Sequence, residues 1–280
     1  MSRVKSDETF SGIKPQLHVS MLNMLAKCGI QFQRRYGERF GIWEKEEVIP
    51  PGIALLLGRN VHTVAEQDFL NKISTGELLS SEEIKDISRT AFESEWNEGV
   101  TLQEEEAIDQ KKTYGEAVDR AVDLSLKYHS TLAPTVFPVE VEKKFVIELK
   151  GYPVDLAGRI DILEDDAVGD IKTMSKNEPS VMSPQMAMYA TAFKMETGRF
   201  PSKVYHHKVI KTKTPKTDIE VLAPGPSWIN PLYRRIERFI EILDAVRAGK
   251  QALMPADPQG WICTKRYCGY AITCKFWSGR

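Results

Sequence analysis

The chain lacks any long apolar run. The longest candidate, Ile53 to Leu57, falls far short of the ~20 residues of a membrane helix. Its first residues, Met1 to Asp7, lack the apolar stretch of a signal peptide. The expected place is therefore cytoplasmic, or the host-cell cytoplasm if the chain is viral, with no membrane partner. No charge of one sign dominates: 38 Lys and Arg against 39 Asp and Glu leave a net charge of -1. That balance argues against wholesale coating of nucleic acid but leaves room for a local basic groove. Internal repeats and low-complexity segments are absent. Cysteine is scarce, with Cys28, Cys263, Cys268 and Cys274 only, and a reducing compartment makes disulfides an unexpected use for them. What remains is an ordinary globular composition. With 42% hydrophobic residues in 280, the chain can build one large domain, or one domain with attachments.

Residues 1–16 read as a flexible arm. Ser20 is a candidate cap for a helix to about Tyr36, with Met21, Leu22, Met24 and Leu25 on its apolar side. Pro50-Pro51-Gly52 ends an irregular connection, and a helix follows from Ile53 to about Leu70. Ser80-Ser81-Glu82-Glu83 has the form of a capping box, and a further helix runs from about Glu104 to His129. From Pro134 the pattern turns to strands. One lies around Val139–Ile147, a second alternates through Val154, Leu156, Ile160 and Ile162, and a third spans Val168–Thr173. A helix from Pro184 to about Thr197, strands over Lys203–Lys211 and Thr217–Leu222, and an amphipathic helix from Pro226 to Ala248 complete the order. This order predicts an α/β fold, a mixed sheet flanked by helices.

The informative residues lie in Gly158-Arg159-Ile160-Asp161-Ile162 and Gly169-Asp170-Ile171-Lys172-Thr173. Side chains alternate along a strand, so Asp170 and Lys172 share a face. A hairpin brings Asp161 beside them. Two carboxylates can hold Mg²⁺ or Mn²⁺ through oxygen. Such an ion activates water and polarises a phosphoryl oxygen, and a lysine beside it neutralises developing charge. The bland alternative is a surface salt-bridge cluster. It is weakened by the Val- and Ile-rich strands, whose buried charges must be paired or metal-bound. Gln185 and Tyr189, four residues apart, share a helical face on the next helix.

Taken together, G-R-I-D, G-D-I-K-T and Q-x-x-x-Y resemble the RecB-type branch of the PD-(D/E)xK nuclease superfamily, which includes CRISPR-adaptation nucleases. The resemblance implies a restriction-endonuclease-like sheet between helices, with Asp161 and Asp170 as metal ligands. It makes Lys172 catalytic, with Gln185 and Tyr189 supporting it. It also points to His62, in Gly58-x-x-x-His62, as a further metal ligand. A single nuclease domain over 17–280 is expected, with a helical region at 53–130, the catalytic sheet and helix at 135–222 and a Cys-rich tail at 255–280.

Cys263-x4-Cys268-x5-Cys274 is a tight trio, with Cys28 more than two hundred residues upstream. Several nucleases of this branch, among them CRISPR-adaptation and helicase-linked ones, carry one cysteine before the nuclease core and three after it, around a [4Fe-4S] cluster, and this chain is similar. Their usual C-terminal spacing is C-x2-C-x5-C, so the x4 gap here is a departure. Structural Zn²⁺ on four thiolates is the alternative. Either ligand would tie the first helix to the tail.

Lys208, Lys211 and Lys213 are the foremost candidate phosphate contacts. Arg34, Arg35, Lys143, Lys144, Lys216, Arg234, Arg235 and Arg238 are further candidates that read mostly as solvated charge. Trp261, Tyr267, Tyr270, Phe276 and Trp277 surround the cysteines, where shielding a cluster or stacking on bases would use them. The resemblance implies a metal-dependent DNA nuclease, an exonuclease on ends or single strands, in recombination, repair or phage DNA processing, alongside recombination or helicase proteins. The alternative is a non-catalytic DNA-binding or scaffold subunit that keeps a degenerate nuclease fold.

Overall fold

A computed structural model of the chain describes residues 14–179 and 183–279. Its six strands form a mixed sheet flanked by helices. The chain divides into two compact units that interleave in sequence. One comprises the described residues to Val48, Lys144–Gly158 and those from Pro226 onward; the other comprises Ile49–Lys143 and Arg159–Gly225. Among the described residues, no helix is long and apolar enough to cross a membrane.

In the first unit, β1 (Gln16–Leu17) pairs in parallel with the start of β3 (Asp155–Glu164). The expected arm lies outside the described residues up to Ile13. Lys14 reaches the Leu149 carbonyl at 2.9 Å and Asp155 at 3.3 Å. The predicted 20–36 helix is two helices, α1 (Val19–Lys27) and α2 (Gly29–Tyr36). Its cap is His18, not Ser20, because Leu17 is held in the sheet and the chain turns directly into the helix. The break falls at Cys28, which is extended (φ -158°, ψ 107°). Gly29 is required there, since a Cβ would lie 2.9 Å from both Leu253 Cβ and the Met254 carbonyl oxygen. The long C-terminal helix α8 (Ile229–Arg247) follows a short 3-10 turn at Pro226–Trp228. It buries Leu232, Ile236, Phe239 and Leu243, spaced four, three and four residues apart on one stripe. Phe239 meets Phe32 edge-on at 5.4 Å and Phe40 at 5.3 Å. Such pairs add about 0.5–1.5 kcal/mol each beyond their burial.

In the second unit, α3 (Ile53–Thr75), α4 (Ser81–Glu98) and α6 (Gln110–Thr131) pack on one side of the sheet. The Ser80/Glu83 capping box is present and stabilises α4 by about 1 kcal/mol. The predicted 104–129 helix is interrupted, with a single turn α5 (Glu104–Ala107) before Asp109 caps α6. Buried Asn60 of α3 donates to the Ser88 carbonyl of α4 at 2.7 Å and accepts from Ser88 and Ser125 hydroxyls. That network fixes the helices' register.

Strand β2 (Glu140–Ile147) pairs with β3, β3 runs antiparallel to β4 (Ala167–Met174), and β4 parallel to β5 (Lys203–Ile210). β5 is antiparallel to β6 (Lys216–Leu222). Helix α7 (Pro184–Thr197), capped by Ser183, provides the parallel crossover from β4 to β5. Ile162, Ile171, Tyr205 and Val209 join Leu57, Phe69 and Leu124 of the helices in one core. Gly169 serves that core directly: the Tyr205 ring lies over it, 2.4 Å from where a Cβ would stand.

Candidate active site and cysteine cluster

The β3–β4 hairpin register pairs Ile162 with Gly169 and Leu163 with Val168. The next step along the ladder sets Asp161 beside Asp170. Asp161 Oδ2 accepts the Ile171 backbone N–H at 2.8 Å. Asp170 is fully buried. Its Oδ1 accepts from Lys172 Nζ at 2.9 Å and from Gln185 Nε2 at 2.8 Å, and its Oδ2 lies 2.9 Å from His206 Nδ1. Lys172 Nζ also donates to Gln185 Oε1 at 2.9 Å, and Gln185 Nε2 to the Tyr189 hydroxyl at 2.7 Å. The first turn of α7 aims Gln185 at this point because Ser183 caps the helix and Pro184 starts it. Lys172, Asp170, Gln185 and Tyr189 are thus one hydrogen-bonded group.

His62 comes from α3, four residues after Gly58. Its Nδ1 is 3.4 Å from Asp161 Oδ2 and 3.8 Å from Glu142 Oε1. Ligand atoms of His62, Glu142 and Asp161 all lie within 4.8 Å of one another. One imidazole and two nearly buried carboxylates suit a divalent cation of the Mg²⁺ or Mn²⁺ kind. The electrostatics fit as well. Burial, with Asp170's charge behind it, pushes the Asp161 carboxyl up to about 7. Asp170 is held below the ordinary carboxylate value: burial works against ionisation, but Lys172 and His206 outweigh it. Burial likewise opposes a charged His62, yet Glu142, Asp161 and Asp170 raise it on balance. Burial and both aspartates hold the Tyr189 hydroxyl well above its ordinary range, so it stays protonated. A carboxyl whose ionisation burial and a neighbouring carboxylate oppose is one that a divalent cation stabilises in its ionised form.

Two residues of this site were not legible beforehand. Glu142 sits in the charged run Glu140–Lys144, which reads as a solvated strand face. Its φ of +50° in the middle of β2 is a left-handed conformation costing of order 1–3 kcal/mol. It also pairs with Arg159. His206 stands among the apolar residues of β5 and looks like packing; the register that pairs it with Asp170 reveals its part. A cleft of about 550 Å³ opens over the site, lined by Gly58, Arg59, His62, Glu142, Arg159 and Lys172 among others. Arg59 and Arg159 are about half exposed at its rim.

The three lysines expected to contact phosphate differ. Lys208 is corrected: it is 2% exposed, and its ammonium is consumed by Glu220 at 2.9 Å and the Glu178 carbonyl at 2.8 Å. Burial, then Arg120, lowers Lys211, whose Nζ lies 3.4 Å from the Ala54 carbonyl. Lys213 is exposed.

In the first unit, all four cysteines line one small cavity with Ile30, Ile262, Tyr270 and Phe276. None of the four forms a disulfide. Cys28 Sγ accepts the Ala256 N–H at 3.3 Å, and the tail turns at Cys263, Cys268 and Cys274 through short backbone hydrogen bonds. Burial, then the other three sulfurs, push the Cys263 thiol up. Four convergent thiols in an apolar cavity are a donor set for a soft metal or an iron–sulfur cluster. Tyr270 is buried against this cavity, whereas Trp261 and Tyr267 form an exposed edge-on pair at 5.0 Å.

No curated protein matches the sequence. A solved structure of a proposed exonuclease from Eubacterium rectale is similar in fold at TM-score 0.53 and 14% identity, over 91% of this chain and 90% of that one. A second, SSO0001, shares 16% identity over 79% of this chain and 95% of that one, at a TM-score of 0.36 that is too low to bear on the fold. The profile of the PD-(D/E)XK nuclease superfamily matches residues 16–275. With that match over most of its length, and the D-x-K strand at its centre, the chain belongs to the PD-(D/E)XK nuclease superfamily.

Proposed function

We propose that the chain is a divalent-metal-dependent deoxyribonuclease, an exonuclease acting on DNA ends or single strands. One observation carries this reading: a polar face at the cleft on which the buried Asp161 and Asp170 converge with the partly exposed Lys172, Gln185, His62 and Glu142. Under it, His62, Glu142 and Asp161 hold the cation, with Asp170 adjoining. A bound Mg²⁺ or Mn²⁺ supplies Lewis-acid polarisation of a phosphoryl oxygen and makes water a stronger nucleophile at neutral pH. Lys172, fixed by Asp170 and Gln185, orients the attacking water and offsets the charge growing on the phosphate. Tyr189 keeps Gln185 in place. Arg59 and Arg159 at the cleft rim, with Lys213, attract the flanking phosphates. The fold likeness to the proposed Eubacterium rectale exonuclease supports the exonuclease direction. The setting in recombination, repair or phage DNA processing, beside recombination or helicase partners, rests on the family resemblance.

The four thiols in this reading ligate a [4Fe-4S] cluster, with structural Zn²⁺ as the alternative. The test of function is direct. Purified protein is incubated with end-labelled single- and double-stranded DNA in Mg²⁺, Mn²⁺ or EDTA. Stepwise shortening from an end, abolished by EDTA, is expected. Undiminished cleavage in EDTA would remove the metal dependence. Binding without cleavage in any metal would favour the scaffold subunit.

A further inference from the structure

The catalytic face belongs to the second unit; the first unit carries a shaped surface of its own. Between α1 and α8 runs a groove of about 300 Å³. Its floor is aliphatic, built from Leu22, Leu25 and Ala26 of α1 and Ile242 of α8. Its rim is cationic: Arg234, Arg235 and Arg238, all exposed, stand along one edge of α8. Arg238 is partly engaged by exposed Glu241 at 3.2 Å. Arg234 and Arg235 have no ion pair among the described residues. The volume sits at the lower end of small binding pockets, enough for one or two apolar side chains.

We propose that this groove binds an acidic peptide segment of a partner protein, seating an apolar side chain on the floor and its flanking carboxylates on Arg234, Arg235 and Arg238. Charge complementarity selects the occupant. Guanidinium groups take carboxylates in bidentate pairs, stronger and more directional than a lysine contact. An apolar floor adds area that an acidic peptide with Leu, Ile or Phe anchors fills and a phosphate backbone does not. A nucleic-acid strand would also want exposed rings for stacking, and the ring in the groove, Phe239, is 2% exposed. Acidic disordered tails with scattered apolar anchors are the partner class that matches, binding by ordering on contact.

The experiment titrates the full chain into a fluorescein-labelled synthetic peptide of alternating Asp/Glu and Leu/Phe, read by anisotropy. Two control peptides replace the acids by Lys or the apolar residues by Ser, and a labelled oligothymidine tests nucleic acid. The acidic apolar peptide should bind, and both controls should bind at least about tenfold more weakly. Arg234→Glu and Arg235→Glu should each weaken the peptide by about tenfold or more, with an unchanged circular dichroism spectrum. Equal binding of the Ser control would mean simple charge attraction and overturn the groove. So would loss of oligothymidine binding in the arginine variants with peptide binding intact, which would make this a nucleic-acid patch.

Discussion

The two units hold their chemistry in opposite ways. In the second, regular structure precedes chemistry: strands β3 and β4 and helix α7 fix Asp161, Asp170, Lys172 and Gln185 by hydrogen bonds already made within the protein. In the first, the tail after α8 has a single 3-10 turn, Ala271–Thr273, among the described residues. Its fixed points are side chains. Arg34 donates to Glu47 at 2.9 Å and to Thr273 Oγ1 at 2.7 Å, and its guanidinium lies 4.6 Å over the Tyr270 ring. The Tyr270 hydroxyl donates to the Glu47 carbonyl at 2.6 Å. The Gly29 N–H bond to the Met254 carbonyl at 2.8 Å and the cluster of thiols add to this hold. The catalytic side is organised by side-chain bonds carried on regular strands and helices, and the cysteine side by side-chain bonds within a tail that has little regular structure.

The largest effect should come from the catalytic face. Asp170→Asn keeps the size and loses the charge, so activity should fall by about a thousandfold or more while the melting temperature changes little. Lys172→Met should do the same if, as proposed, its ammonium acts on the attacking water and the phosphate. Melting curves and end-labelled cleavage assays read both. If Asp170→Asn melts far below the parent chain, the site is a structural polar cluster and the contrast between the units fails.

The next effect sharpens the other side. Chelation of the cysteine ligand, or Cys28→Ser, should cost several kcal/mol, because a ligand that closes a loop of more than two hundred residues contributes folding energy. Hydrogen exchange should quicken over 255–279 and leave β4 and β5 protected. Anaerobically purified protein should be brown, with about four irons per chain; a colourless protein with about one zinc would decide for the alternative. Equal loss of protection in both regions would show that the cysteines support the whole chain.

A smaller effect concerns pH and belongs to the second unit alone. Burial, then Lys203, lowers His207 to about 4 from its ordinary 6.5. The folded state therefore binds fewer protons than the unfolded state between those values. Its contribution is complete above pH 6.5 and is lost as pH falls through 4. That fall is worth about 3 kcal/mol. Asp161, raised to about 7, acts in the opposite direction, so the difference between parent and variant is what counts. His207→Phe should flatten the decline in denaturation free energy from pH 6.5 to 4. An unchanged slope would mean that His207 is charged in the fold.

Much of this was readable in the chain. The strand pair, the Pro184–Thr197 helix and the capping box announce themselves through alternation, Pro and Ser/Glu spacing. So does the shared face of Asp170 and Lys172. What stayed hidden depends on tertiary placement. Cys28 splits one predicted helix because the 253–256 segment crowds Gly29. Lys208 carries the charge of a phosphate ligand, but β6 supplies Glu220, two residues beyond its register partner Asp218, as an ion-pair partner. Glu142 and His206 are unremarkable in sequence because only strand pairing and a left-handed backbone bring them to the site.

His206 offers the finest test, because it touches neither metal nor substrate in the proposed arrangement. Its Nδ1 meets Asp170 Oδ2, and its other ring nitrogen is buried without a protein partner. With Nδ1 donating, it locks the carboxylate that Lys172 and Gln185 grip from the other oxygen, so it is a positioning residue. Such outer partners typically change metal affinity or activity about 10–100-fold when removed. His206→Ala should therefore raise the Mn²⁺ concentration for half-maximal cleavage by about that factor, with much of the activity recovered at saturating metal. His206→Asn, which keeps a donor of similar reach, should restore part of the loss. A merely packing role would lower stability in both variants alike and leave the metal midpoint where it was. That outcome would confine the catalytic side's hydrogen-bonded order to Asp161, Asp170, Lys172 and the α7 pair.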